Sequence, residues 1–292
     1  MKPVRSLLYV PANEPEWVAS APSKYDADAI IYDLEDAVPP DDKDDAREVL
    51  ATTLPELANE ETAITVRTNA PDTSEFSTDL EAVTQEATDG IVVPKLADSE
   101  DVRRVSHILA HVETVRGLEE RTELVLLPET ASAFNRAEQL CTDSDRVEAL
   151  IAASSPGGDI ERALGFDWTR VGNERRYFIS KLLMDGRAAG LEQIVAGPWL
   201  DVEDLDGLKA EVEMVRGLGY TGFQVVHPDH IAVVNNLFTP DQEKAEQARE
   251  LLSAFEQAED NGVLRFDGEM IDEAHRKRAA QIVERAEAFG VL

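Results

Sequence analysis

Several short apolar runs in this chain stop on side chains able to do polar chemistry. Leu124 to Pro128 has no helical period and ends on Glu129. Such a run reads as a buried parallel strand, and Thr130 and Ser132 behind it are placed to cap a helix. A carboxylate at the C-terminal end of a buried strand suits a metal ion or a catalytic acid; the simpler reading is that Glu129 only favours the dipole of the next helix. The next run, Val147 to Ala153, leads to Asp159. Two carboxylates on adjacent strands suit a hard cation such as Mg2+, which takes one or two of them and leaves its other positions to water and substrate. Glu35 and Asp36 are candidates for ordering cation-bound water, or for pairing with Lys or Arg. Arg67 offers a planar fork to a carboxylate or a developing enolate, or else an ion pair to the acidic strand ends. Lys95 suits phosphate or an acidic partner, and His227 a base or a satisfied hydrogen-bonding residue. Arg5 lies near the start of the first strand and by itself reads as structural.

Other chemistries lack their residues. No serine sits in a nucleophile elbow. Gly157, Gly158 and Asp159 do not make a dinucleotide fingerprint. His107 and His111 stand four apart on a helix expected to face outward, without the further ligands zinc needs. Trp17, Trp168 and Trp199 read as packing.

The elements that must carry these residues alternate. Strands are expected at Val4–Pro11, from Ala29 with Asp33, Glu35 and Asp36 as its last residues, and at Ala63–Val66, Gly90–Val93, Leu124–Pro128, Val147–Ala153, Gln193–Trp199 and Gly222–Val226. Helices are expected at Asp44–Leu57, Thr78–Ala87, from a Ser99 cap to Gly117, and at Ala133–Leu140, Gly172–Gly190, Leu205–Leu218 and Pro240–Ala258. Alternation of this kind points to an α/β (β/α)8 TIM barrel over residues 1–260, with a doubly wound sheet as the alternative. One barrel face would gather Glu35, Asp36, Arg67, Lys95, Glu129, Asp159 and His227. Residues 261–292, a turn-rich stretch and a final helix at Glu273–Phe289, form a C-terminal helical extension.

The chain has 292 residues, of which 43% are hydrophobic, enough for a substantial core. No apolar run approaches the ~18 residues of a membrane span, and the short apolar N-terminus continues into a strand, so a cytoplasmic protein is expected. The single cysteine, Cys141, excludes an internal disulfide and a cysteine-built metal site. Acidic residues number 59 against 28 basic ones, a net charge of −31. The acid is dispersed and arginine outnumbers lysine, which points to a halophilic protein, kept soluble in high salt. Duplex nucleic acid is an improbable ligand at this charge.

Eight stretches in order carry a resemblance: RSLLYVPAN (5–13), DLEDAVPPDDKDDAR (33–47), VRTN (66–69), VPK (93–95), LPET (127–130), GGDIERALG (157–165), HPDHIAVVNNLFTP (227–240) and DGEMID (267–272). Together they resemble the citrate lyase β-subunit-like family, which includes malyl-CoA, β-methylmalyl-CoA and citramalyl-CoA lyases. The resemblance implies a Mg2+-dependent Claisen-type lyase, homotrimeric or hexameric, acting on an acyl-CoA and a small 2-oxo acid. It further implies Glu129 and Asp159 as metal ligands. Arg67 would polarise the thioester carbonyl, and Arg5 and Lys95 would contact CoA or substrate. Asp272 would be the acid/base, supplied by the C-terminal extension to a neighbouring subunit's site. The family commonly has a Glu before the metal Asp, where this chain has Gly158. A malyl-CoA thioesterase, and a citryl- or citramalyl-CoA lyase or citrate lyase β subunit, remain the alternatives.

Overall fold

In the computed structural model, which describes residues 3–57, 61–257 and 263–292, eight parallel strands close on themselves in sequence order. They are β1 Ser6–Pro11, β2 Ala29–Asp33, β3 Ala63–Arg67, β4 Gly90–Pro94, β5 Glu123–Leu127, β6 Val147–Ala153, β7 Gln193–Gly197 and β8 Gly222–Val225. β8 returns to pair with β1, Ser6 opposite Phe223, which excludes the doubly wound alternative. The strands are apolar because both faces are covered: every residue of β2, β4 and β7 is buried. Alternate positions point inward. Leu7, Ala29, Ile31, Val92, Val125, Leu127, Ala149, Ile151 and Val195 form one interior cluster, with Tyr9, Ala63 and Ala153 packed on it. The barrel is thus a filled core rather than a pore.

The helices are α1 Pro15–Lys24, α2 Lys43–Thr53, α3 Glu75–Val83, α4 Ser99–Arg116, α5 Ala131–Asn135, α6 Ala137–Thr142, α7 Asp159–Leu164, α8 Arg176–Ala188, α9 Leu205–Leu218, α10 Ile231–Phe238, α11 Gln242–Gln257 and α12 Glu273–Ala288. α9 has the expected bounds, and Gly219 stops it at φ 117°. α4 also has the expected length, but Asp98 caps it instead of Ser99, by accepting from the Glu100 N–H. The helix expected at 133–140 is two short ones, because Arg136 leaves helical geometry between them at φ −115°, ψ 17°. None of the described helices is long and apolar enough to cross a membrane.

The chain divides into two compact units, Pro3–Asn235 and Asn236–Leu292. The boundary expected at 260/261, like the helix end expected at Ala258, lies outside the described residues. The second unit begins earlier because α11 packs against α12. It also holds an antiparallel hairpin, β9 Val263–Phe266 and β10 Glu269–Asp272. The hairpin turns at Asp267 and Gly268, both at positive φ.

Candidate functional site

Each barrel strand delivers its last residues to one end. There a cavity of about 400 Å³ is lined by Asp33, Asp36, Arg67, Glu129 and Asp159, among others. Its floor is the upper layer of the core: Tyr9, Leu127 and Ala153 belong to both. A larger cavity of about 720 Å³, walled by Phe134, Phe166, Tyr177 and Phe178, contains none of the predicted site residues.

Glu129 stands two residues past β5 and is 8% exposed. Its loop is held to the loop after β4. Thr130 caps α5 by accepting from Ala133 N–H and donates to the Leu96 carbonyl, while Ser132 donates to the Ala97 carbonyl instead of capping. The buried Glu129 Oε2 has no hydrogen-bond partner. Burial first, and then the charges of Glu35 and Asp159, push the Glu129 carboxyl up to about 8 against the pull of Arg67 and Lys95.

Asp159 is the first residue of α7 and pairs with Lys95 at 3.2 Å and with Arg162. Lys95, at φ 51°, also meets Glu35 at 2.9 Å and Asp36 at 3.3 Å. Arg67 pairs with Asp33 at 2.5 Å and with Glu35 at 3.1 Å. Burial pushes the Glu35 carboxyl up, opposed by Arg67 and Lys95. The carboxylates Asp33, Glu35, Asp36, Glu129 and Asp159 thus outnumber the cations that face them. An unpartnered buried carboxylate oxygen within this acidic surplus fits a hard divalent cation. Among the described residues no three His, Cys, Asp or Glu side chains make a ready ligand set. A cation on Glu129 and Asp159 would therefore complete its shell with water and substrate oxygens.

The structure brings together Glu35, Asp36, Arg67, Lys95, Glu129 and Asp159, but not Arg5. Arg5 precedes β1 and hydrogen-bonds Asp28, just before β2, through its side chain at 2.7 and 2.8 Å. A residue at the start of a barrel strand lies at the opposite end from the cavity, so the expected substrate contact becomes a structural ion pair. His227 does not line the cavity; its Nδ1 accepts from Asp229 N–H. Trp168 and Trp199 pack together as expected, at 5.8 Å between centroids, but Trp17 is 54% exposed. Asp272, in the second unit, is exposed and caps α12. Its Oδ1 accepts from Ala274 and His275 N–H and meets His275 Nδ1 at 2.7 Å. These hydrogen bonds hold its carboxyl below the ordinary range.

Sequence reasoning passed over Tyr9 and Gln224, which line the cavity and hydrogen-bond each other at 2.7 Å. The signal for Gln224 was a lone amide within an otherwise apolar strand.

A family model described as HpcH/HpaI aldolase/citrate lyase matches residues 5–228, and one described as C-C bond lyase of the TIM-barrel fold matches 172–291. The (3S)-malyl-CoA thioesterase of Cereibacter sphaeroides is 32% identical over 99% of this chain and 97% of its own length. The mitochondrial citramalyl-CoA lyase of Mus musculus is 30% identical over 97% of this chain and 86% of its own. The CitE protein of Mycobacterium tuberculosis, solved with magnesium, acetoacetate and coenzyme A, is 26% identical, covers 98% of each chain and superposes with a TM-score of 0.75.

Proposed function

Because this chain belongs to the HpcH/HpaI aldolase/citrate lyase family, we propose that it is a Mg2+-dependent carbon–carbon lyase of 3-hydroxyacyl-CoA thioesters. Malyl-CoA or β-methylmalyl-CoA would give glyoxylate and acetyl-CoA or propionyl-CoA. The observation that carries this reading is the buried, unpartnered Oε2 of Glu129 in a cavity shared with Asp159 and Arg67. Mg2+ would be held by Glu129 and Asp159 and would supply Lewis-acid polarisation of the oxo-acid oxygens.

The remaining work falls to side chains. Arg67 donates to the thioester oxygen as negative charge develops there during cleavage of the C–C bond. Glu35 and Asp36 orient water at the acidic cluster. Lys95 bridges Glu35 to Asp159 and offsets part of the negative charge the two carboxylates bring to the cavity. Asp272 of a second copy acts as acid/base: its carboxylate takes the proton of the substrate 3-hydroxyl as the C–C bond breaks and returns it to the acyl α-carbon. We take the assembly to be a cytoplasmic homotrimer or hexamer whose 261–292 extension reaches the neighbouring site.

A thioesterase is the second reading, favoured by the 32% identity to the malyl-CoA thioesterase. Product analysis decides between them. Purified protein given malyl-CoA and Mg2+ is expected to release glyoxylate and acetyl-CoA. Malate with free CoA would replace the lyase by the thioesterase, and no Mg2+-dependent product at all would remove both.

A further inference from the structure

We propose that Asp33 is a positioning residue for Arg67, and that the same carboxylate sets the acidic loop bearing Glu35 and Asp36. The functional part of this inference rests on the lyase reading above. Asp33 ends β2 and is the register partner of Arg67, which ends β3. Side chains paired across neighbouring strands project to the same side. Oδ1 of Asp33 accepts from Arg67 Nε at 2.8 Å and Oδ2 from Nη2 at 2.5 Å. Two parallel bonds of this kind fix the plane of a guanidinium as well as its distance.

Asp33 is itself held in place. It is 1% exposed. Oδ1 also accepts the backbone N–H of Glu35 at 2.9 Å and Oδ2 that of Ala37 at 3.1 Å. Four donors thus converge on one buried carboxylate, two from the arginine and two from the loop. The guanidinium carbon also lies 4.9 Å from the centre of the Tyr9 ring, and the Tyr9 hydroxyl donates to Gln224 Oε1. With Nε and Nη2 engaged by Asp33, Nη1 is the nitrogen that meets Glu35 Oε2, at 3.1 Å. A carboxylate serving only to neutralise Arg67 would need neither the fork geometry nor the bonds to its own loop. Donors aimed at developing charge lose most of their effect when tilted away from it, so Asp33 acts on the reaction through Arg67 without touching substrate.

Asp33→Glu keeps the charge and moves the fork; Asp33→Asn keeps the shape and removes the charge. Both are expected to lower kcat by ~10²-fold with KM changed by less than about threefold. Asp33→Asn added to Arg67→Ala is expected to cost much less than the ~10²-fold it costs alone, since the part exerted through Arg67 is already gone and only the part exerted through the loop of Glu35 and Asp36 remains. Crystal structures of the wild type and Asp33→Glu should show the guanidinium rotated out of its plane. A near-wild-type kcat for Asp33→Glu, multiplicative losses in the double variant, or an unmoved Arg67 would each overturn the proposal. A wild type without lyase turnover would sink the lyase reading instead, and the crystallographic comparison would still decide whether Asp33 positions Arg67.

Discussion

At Glu129 the carboxyl moves from an ordinary value of 4.5 to about 8, first through burial and then through Glu35 and Asp159. Below that value the group is mostly protonated, and a cation must displace the proton to bind. Mg2+ affinity is therefore expected to climb as pH rises from about 4.5 to about 8 and then to level off. Calorimetry in buffers of different ionisation enthalpy would register the released proton; an affinity flat across that window would contradict the Glu129 ligand. The linkage to stability has the opposite sense. A carboxyl with a raised folded-state value favours folding fully below its unfolded value, and that contribution is lost as pH rises through the folded one. Glu129→Gln, which imitates the protonated acid, should thus melt higher than wild type at pH 8 without Mg2+ and gain nothing when Mg2+ is added at constant ionic strength. For Arg67→Ala, kcat is expected to fall by ~10²–10³, as for loss of one transition-state donor. Steady-state kinetics on protein with a cooperative melt checks this.

The elements that aim these residues were legible where burial on both faces leaves a plain apolar run. Val147–Ala153 is a strand with the expected bounds, and its neighbours differ by a residue or two. α1 was not legible: Pro22 lies inside it, its large apolar residue Trp17 faces solvent, and its buried face is only the small Val18, Ala21 and Pro22. The β9–β10 hairpin carried a readable turn dipeptide in Asp267-Gly268 but too little apolar alternation on either side. Within the site, Glu129, Asp159 and Arg67 could be read as strand ends. The Asp33 fork could not, because it depends on the β2–β3 register, which no single stretch encodes. Arg5 shows the converse: a motif residue goes to the wrong end of the barrel if only its motif is read. Register also governs the seam that closes the barrel. A Cβ on Gly222 would lie 2.7 Å from the Val4 carbonyl oxygen and 3.0 Å from that of Arg5. Gly222→Ala must push β8 off β1 and is expected to cost ~1–3 kcal/mol. Gly217, near the end of α9, meets nothing within 4 Å, so Gly217→Ala should instead stabilise by up to ~1 kcal/mol. Thermal melts of the two variants should move in opposite directions.

For the molecule as a whole the dominant quantity is the net charge of −31. Self-repulsion of dispersed carboxylates opposes the compact state, and it weakens as the screening length shortens from ~30 Å at 0.01 M salt to ~3 Å at 1 M. The melting temperature is therefore expected to rise steadily from dilute buffer to molar KCl. Choline chloride at equal ionic strength should do nearly as well, because screening does not depend on a specific site. Mg2+ complicates this, since it both screens and, in our reading, binds at Glu129. Glu129→Gln separates the two effects: the variant should keep the full response to KCl and lose only the increment that Mg2+ adds at constant ionic strength. A melting temperature that stays level from dilute buffer to molar KCl would mean that the acidic surface is not an adaptation to salt. The surplus of carboxylates would then need another counterpart, such as a basic partner surface, for which the chain shows no contiguous acidic block beyond Asp41–Asp45, interrupted by Lys43.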